Sequence, residues 1–134
     1  MKVSYNILDI LFETAKEVTP VANARVTSCI VFKGKIIAVG QCKEKTHPFQ
    51  KQYSKHTEAI KLHAENDVIV KALKKISIND LKRSTLYVAR AKKYNRGSKF
   101  IRGLAKPCTG CQSAIAAIGI KNVVYTTEDG FDIL

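Results

Sequence analysis

The segment KPCTGC, residues 106–111, decides how the rest of the chain is interpreted. It places two thiols, Cys108 and Cys111, three positions apart after Pro107, and the apolar residues that follow at 114–118 have helical spacing. Proline suits the first turn of a helix, since its missing N–H would be unpaired there. Residues i and i+3 share one helix face, so both sulfurs can converge at a positively polarised N-terminus that favours thiolates. Two thiolates fill only half of a tetrahedral zinc site.

The candidate third ligand is His63, which opens a second predicted helix in the segment His63-Ala64-Glu65. One histidine and two cysteines leave the fourth zinc position open, which is typical of a catalytic site. Residues i and i+2 of a helix point apart. His63 and Glu65 can therefore face one metal-bound water only if the helix begins near His63 and directs its N-terminus at the site. Two helix N-termini would then meet at the metal.

Other uses of these residues remain open from spacing alone. A lone C-x-x-C can be a redox pair, and a structural zinc would take a fourth protein ligand, for which Cys42, His47 and His56 are candidates. Cys29 lies in an apolar run and is interpreted as a small buried hydrophobic residue.

Length and composition indicate one folded domain spanning residues 1–134, with 46% hydrophobic residues. The sequence has no apolar run long enough to span a bilayer and no signal peptide, so we expect a cytoplasmic protein with no membrane partner. The 23 basic and 11 acidic residues give a formal charge of +12. Such a surface attracts phosphate, nucleotides or nucleic acid, or serves solubility alone.

Hydrophobic spacing predicts alternating helices and strands. The expected order is a helix over about 5–18, a hairpin of strands 25–32 and 35–40, a polar loop over 41–56, a helix over about 63–76, a strand over 85–91, a basic loop over 92–106, a helix over about 108–118, a strand over 122–127 and a short tail. The final strand–helix–strand unit favours a parallel pair. The whole order predicts a mixed α/β sheet with helices on both faces.

The residues His63, Glu65, Pro107, Cys108 and Cys111 match H-x-E…P-C-x-x-C, the signature of zinc nucleobase deaminases. In that chemistry zinc lowers the pKa of water to about 7, and the glutamate is the general acid and base and not a ligand. The chain over about 25–127 resembles the cytidine and deoxycytidylate deaminase superfamily. The segment PCTGCQSAI at 107–115 followed by GIKNVVY at 119–125 is similar to the deoxycytidylate deaminase branch.

This resemblance implies a three-layer α/β/α sandwich around a mixed sheet of about five strands, and a homo-oligomer. It implies zinc on His63, Cys108 and Cys111, with Glu65 as the proton shuttle. It further implies that backbone groups near Ala64 and Lys106 form hydrogen bonds with the edge of a pyrimidine.

Three departures from the family pattern stand out. Cys42 occupies the position where the family often has a sugar-binding Asn, and a thiol cannot replace the amide hydrogen bonds. The basic segment 92–106 separates the third strand from the cysteine motif, where relatives often connect directly. The chain also ends soon after Tyr125, so we expect the fifth strand to be short or absent.

Positive charge is concentrated between residues 87 and 106, which include seven basic side chains and no acid. This segment is either a phosphate-facing flap beside the cysteines or a solvated loop. Lys45 and His47 are further candidate phosphate contacts, because their loop leads toward His63.

Two functions use this charge. The first is hydrolytic deamination of cytosine to uracil on a small-molecule pyrimidine nucleotide, a free deoxyribonucleotide such as dCMP. The alternative is a deaminase or binding protein acting on single-stranded DNA or RNA, including tRNA adenosine. That alternative needs aromatic stacking platforms, and Tyr94 and Phe100 are the aromatic residues that the basic segment 92–106 offers.

Overall fold

A computed structural model describes residues 2–18, 20, 25–42, 63–93 and 99–134 of the chain. Within these ranges the chain forms four helices and six strands. In chain order they are α1 (Tyr5–Glu17), β1 (Arg25–Phe32), β2 (Lys35–Gln41), α2 (Ala64–Leu73), α3 (Ile78–Lys82), β3 (Thr85–Lys93), β4 (Phe100–Gly103), α4 (Thr109–Ile118), β5 (Asn122–Thr127) and β6 (Gly130–Ile133).

The strands form one mixed sheet in the order β2-β1-β3-β5-β6, and β4 pairs with the end of β3. The β3–β5 pair is parallel, as the strand–helix–strand pattern predicts, and the other pairs are antiparallel. The predicted hairpin of β1 and β2 turns at Lys33 and Gly34, which both have positive φ angles (51° and 78°). Such a two-residue turn matches the twist of its strands and favours glycine at a position that most side chains avoid.

Side chains of alternate residues build a separate core on each face of the sheet. On one face, Leu8 and Leu11 of α1 pack against Tyr87 and Val124 of the central strands. On the other face, α2 and α4 pack over the neighbouring positions of the same strands; this core includes Val68, Ile69, Ile115, Leu86, Val88, Val123 and Tyr125. The three-layer α/β/α arrangement is therefore confirmed.

Two segments expected to be irregular contain strands. The basic segment 92–106 is not a loop throughout, because β3 continues to Lys93 and β4 pairs with this extension. The many basic residues of this segment hide the alternation that would predict a strand. The strands are stabilised by antiparallel pairing with each other, which the local sequence does not show. The tail after Tyr125 is likewise not featureless, since β6 pairs with β5 in an antiparallel register. The sheet thus has six strands where about five were expected.

Two further differences are local. The short helix α3 was not predicted; its five residues carry too little periodicity, although Ser77 caps it by accepting a hydrogen bond from the Asp80 N–H. Of the polar loop predicted over 41–56, Gln41 ends β2, and residues 43–56 lie outside the described ranges. None of the described helices has the length and apolar character required to cross a bilayer.

Candidate metal centre and active site

His63 is the N-cap residue of α2, with extended backbone angles (φ −74°, ψ 153°). Its carbonyl accepts the first helical hydrogen bond, from the Asp67 N–H at 2.9 Å. The imidazole forms no side-chain cap on its own helix. The helix therefore begins immediately after His63, as required for its N-terminus to face the site.

Cys108 is the N-cap residue of α4 (φ −68°, ψ 170°), and its Sγ atom accepts the Cys111 N–H at 3.5 Å. The proline was expected in the first helical turn, but the structure places Pro107 just before the cap. Its fixed φ sets the direction in which the chain enters the helix. The Gln112 side chain donates a hydrogen bond to the Pro107 carbonyl at 2.8 Å, which ties this entry to the first turn.

The three predicted ligands converge. The His63 Nδ1 atom lies 3.3 Å from the Sγ atom of Cys108 and 3.2 Å from that of Cys111. All three donor atoms lie within 4.8 Å of one another. Two ligands on a tetrahedral zinc ion, one sulfur and one nitrogen, would be about 3.6 Å apart given the usual bond lengths. The set of one imidazole and two thiols at these separations could hold a zinc ion.

The pKa values of the two thiols shift in opposite directions. A hydrogen bond from Cys111 lowers the pKa of Cys108 to about 4, with further help from His63. Donation of that hydrogen bond, together with burial, raises the pKa of Cys111. The lowered pKa of Cys108 favours its thiolate, the protonation state that a metal needs.

Glu65 is the second residue of α2 and is 5% exposed. Burial raises the pKa of its carboxyl, and this outweighs the opposing effects of a backbone hydrogen bond, His63 and the Cys111 thiol. The carboxyl therefore adjoins the ligand cluster and holds a proton more readily than an exposed glutamate does. This is the property expected of a general acid and base.

Three residues that the sequence analysis did not identify position the N-terminus of α2. A Cβ atom on Gly40 would lie 2.8 Å from the Ala64 carbonyl oxygen and 2.7 Å from the Val68 nitrogen, so only glycine permits this contact. Ser28 donates a hydrogen bond to the same Ala64 oxygen at 2.6 Å. Asp67 accepts one from the Gln41 N–H at 3.0 Å, which joins the helix to the end of β2. In the sequence, the sign of this role is a small residue, Ser28 or Gly40, within a predicted apolar strand, where a neighbouring backbone can approach closely.

The structure describes three of the five predicted substrate contacts: Ala64, Lys106 and Cys42. Ala64 is buried as the first residue of α2, and Lys106 is exposed one residue before Pro107. Cys42 follows β2 and is half-buried, and it does not join the three-residue ligand cluster found among the described residues. Lys45 and His47 lie outside the described ranges, as does His56.

Comparisons with known proteins agree with this geometry. A family described as the cytidine and deoxycytidylate deaminase zinc-binding region matches residues 1–127. The fold is similar to that of dCMP deaminase from the cyanophage S-TIM5 in its apo form, with a TM-score of 0.60 and 24% identity over 93% of this chain and 86% of that one. The same phage enzyme in complex with dCMP and dUMP gives a TM-score of 0.59 and 22% identity, covering 94% and 85% of the chains.

A cytidine deaminase from Burkholderia pseudomallei has a TM-score of 0.65 at 17% identity, covering 98% of this chain and 92% of that one. At these identities the structural similarities establish the fold alone. A search of curated protein sequences finds no significant match.

Proposed function

The chain belongs to the family of cytidine and deoxycytidylate deaminases, and on that premise we propose that it hydrolyses the exocyclic amino group of cytosine on a free deoxyribonucleotide such as dCMP. The observation that carries the proposal is the meeting of His63 Nδ1 with two cysteine sulfurs beside a buried glutamate. In this reaction water is consumed, the amino group leaves as ammonia and the base becomes uracil.

His63, Cys108 and Cys111 would hold the zinc ion. When bound, zinc supplies Lewis acidity that makes water a nucleophile near neutral pH. The two N-cap positions direct positively polarised helix ends at the site, which stabilises negative charge on the thiolates.

Glu65 would move the protons. Its carboxylate takes a proton from water and delivers it to N3 of the ring; the same carboxylate then takes the remaining proton of the hydroxyl that water has added and gives it to the amino group, which leaves as ammonia. Burial supports this role because it raises the pKa of Glu65, so the carboxyl can hold each proton during its transfer. The position of Glu65 in the first turn of α2 holds its carboxyl beside the ligand cluster.

The edge of the pyrimidine would be recognised by backbone groups near Ala64 and Lys106. Ala64 supports this role as the first residue of α2, where the N–H has no partner within the helix. Its carbonyl already accepts the Ser28 hydroxyl, which fixes the orientation of the peptide. Cys42, Lys45 and His47 remain candidate contacts to the sugar and phosphate.

A free nucleotide is favoured as the substrate by the complex of the similar cyanophage enzyme with dCMP and dUMP. The formal charge of +12 suits a phosphate-bearing ligand. We also propose that the chain is a single domain that assembles as a homo-oligomer. The edge strand β2 supports assembly because it exposes the apolar side chains of Ile36 and Val39.

The test is a substrate panel on the zinc-loaded protein. Ammonia release and base conversion are measured for dCMP, CMP, deoxycytidine, single-stranded oligonucleotides containing cytosine, and tRNA containing the target adenosine. We expect dCMP to give the highest kcat/KM. Turnover confined to oligonucleotides or tRNA would replace the proposed substrate, and a lack of turnover on every member would refute the proposed activity. Light scattering during chromatography measures the oligomeric state.

A further inference from the structure

Arg90 is a half-buried arginine near the end of β3 with no role in the features described so far. Its Nε atom is buried and has no hydrogen-bond partner among the residues that the structure describes. Burying a charged donor without a partner is costly. A guanidinium in this state gains free energy if a negatively charged ligand binds beside it.

Strand alternation places Arg90 on the same face as the metal centre. Leu86 and Val88 pack into the core beneath α2 and α4. Tyr87 and Ala89 instead face α1 on the opposite side of the sheet. Because side chains alternate along a strand, Arg90 continues the row of Leu86 and Val88.

The register places Arg90 just beyond the N-terminus of α2. Val88 lies opposite Ser28, whose hydroxyl is bonded to the Ala64 carbonyl at the start of the helix. Arg90 lies opposite Val26, one row or about 7 Å further along the sheet.

The helix leaves this point in the other direction. Gly40 lies against its first turn, whereas Lys75, just past its end, donates a hydrogen bond to the Ile37 carbonyl near the start of β2. The space in front of the ligand His63 is therefore on the side of Arg90.

The stem of Arg90 lies against β4, the strand from which the chain leads to the second helix N-terminus. Its Cγ and Cδ atoms lie 3.1 and 3.0 Å from the position that a Cβ atom on Gly103 would occupy. Gly103 ends β4 and is followed directly by the segment that leads to the ligand Cys108. Thr126 fixes this path, since its hydroxyl donates to the Gly103 carbonyl at 2.8 Å and accepts the Arg90 N–H at 3.1 Å.

Two basic side chains near Arg90 form ion pairs with acids. Arg102 forms an ion pair with Asp9, and Lys92 forms one with Glu128. Within the described ranges no carboxylate forms an ion pair with Arg90. Arg90 is thus a cation without an ion pair in the described residues, on the sheet face that carries the metal centre.

We propose that Arg90 binds the 5′-phosphate of the substrate and makes the enzyme prefer a nucleotide to a nucleoside. This inference rests on the proposed function. A planar guanidinium pairs with two phosphate oxygens through charge-assisted hydrogen bonds. Arg90 is then a specificity-determining residue and takes no part in proton transfer.

The test compares dCMP with deoxycytidine, which differ by the phosphate alone. In Arg90→Gln we expect kcat/KM for dCMP to fall about 10- to 100-fold, mainly through KM, and kcat/KM for deoxycytidine to change little. Arg90→Lys keeps the charge and should recover part of the loss. Arg102→Gln is the matched control, because this arginine lies in the same hairpin but pairs with Asp9. An equal loss for both substrates would overturn the proposal and leave the deaminase activity standing.

Two further measurements make the test independent of folding and turnover. Gly103→Ala keeps Arg90 but adds a Cβ atom against its stem, so the preference for dCMP over deoxycytidine should fall several-fold. Calorimetry with dUMP and deoxyuridine measures phosphate recognition without catalysis. Tighter binding of dUMP that is lost in Arg90→Gln supports the proposal even if no substrate is turned over. Equal weakening of both ligands, or of neither, would overturn it.

Discussion

The Nδ1 atom of His63 lies 3.2 Å from the Sγ atom of Cys111, although the two residues are 48 positions apart in the chain. The contact exists because two helices begin at the same point above the sheet. Each helix is capped by a residue of the ligand cluster, His63 in one case and Cys108 in the other. The positions of the metal-binding side chains therefore depend directly on where the two helices begin.

Loss of a ligand should release the metal. We expect about one zinc ion per chain in the parent protein and a large loss in His63→Ala and Cys108→Ser, measured by elemental mass spectrometry after dialysis. Thermal stability should fall with the metal, since a ligand that binds only the folded state stabilises it. Cys29→Ala is the control, because this buried thiol lies on the α1 face. Full zinc occupancy in both ligand variants would contradict the assigned centre.

Glu65→Gln should separate metal binding from catalysis. The amide keeps the size of the side chain but cannot carry protons, so we expect kcat to fall by at least about 10²-fold. Zinc content should stay unchanged because Glu65 is not a ligand. The measurement pairs ammonia release with zinc content on one preparation. Activity near the parental level would exclude the proton role.

Gly40→Ala should displace the start of α2. The added Cβ atom would lie 2.7 and 2.8 Å from backbone atoms of Val68 and Ala64, which cannot yield as a flexible side chain can. We expect a loss of about 1–3 kcal/mol in the free energy of unfolding, measured by urea denaturation, with weaker zinc binding. The exposed Ile10 of α1 provides the control, and Ile10→Ala should be nearly neutral. Equal urea midpoints for the two variants would show that the backbone around Gly40 can accommodate the added Cβ atom.

The ion pair of Glu128 with Lys92 should make a small pH-dependent contribution to the stability of the fold. A hydrogen bond from Lys92 holds the pKa of Glu128 below its usual value. A lowered folded-state pKa means that the stabilising effect is present above the unfolded pKa and is lost as pH falls through the folded value. Carboxyl NMR titration should show the pKa of Glu128 rising in Lys92→Met, with a small effect on stability because the pair is exposed. An unchanged pKa would show that the pair does not persist in solution.

The sequence predicted the regular framework well where the pattern is periodic. The helix over Tyr5–Glu17 and the hairpin from Arg25 match their expected positions. In both, the apolar residues recur with the period of the element, because one face of it is buried. The strand Phe100–Gly103 was missed because four residues are too few to show a period of two, and its pairing partner lies elsewhere in the chain.

The sequence by itself determined the chemistry of the ligand set: an imidazole, two thiols and a glutamate at a spacing that suits helix N-termini. Only the tertiary structure decided what surrounds that set. The glycine at 40, the hydroxyl of Ser28 and the buried Nε of Arg90 acquire meaning from strand register, which places distant residues side by side. Local spacing fixes which donors one helix end can present, whereas contacts between strands depend on pairing that no short segment specifies.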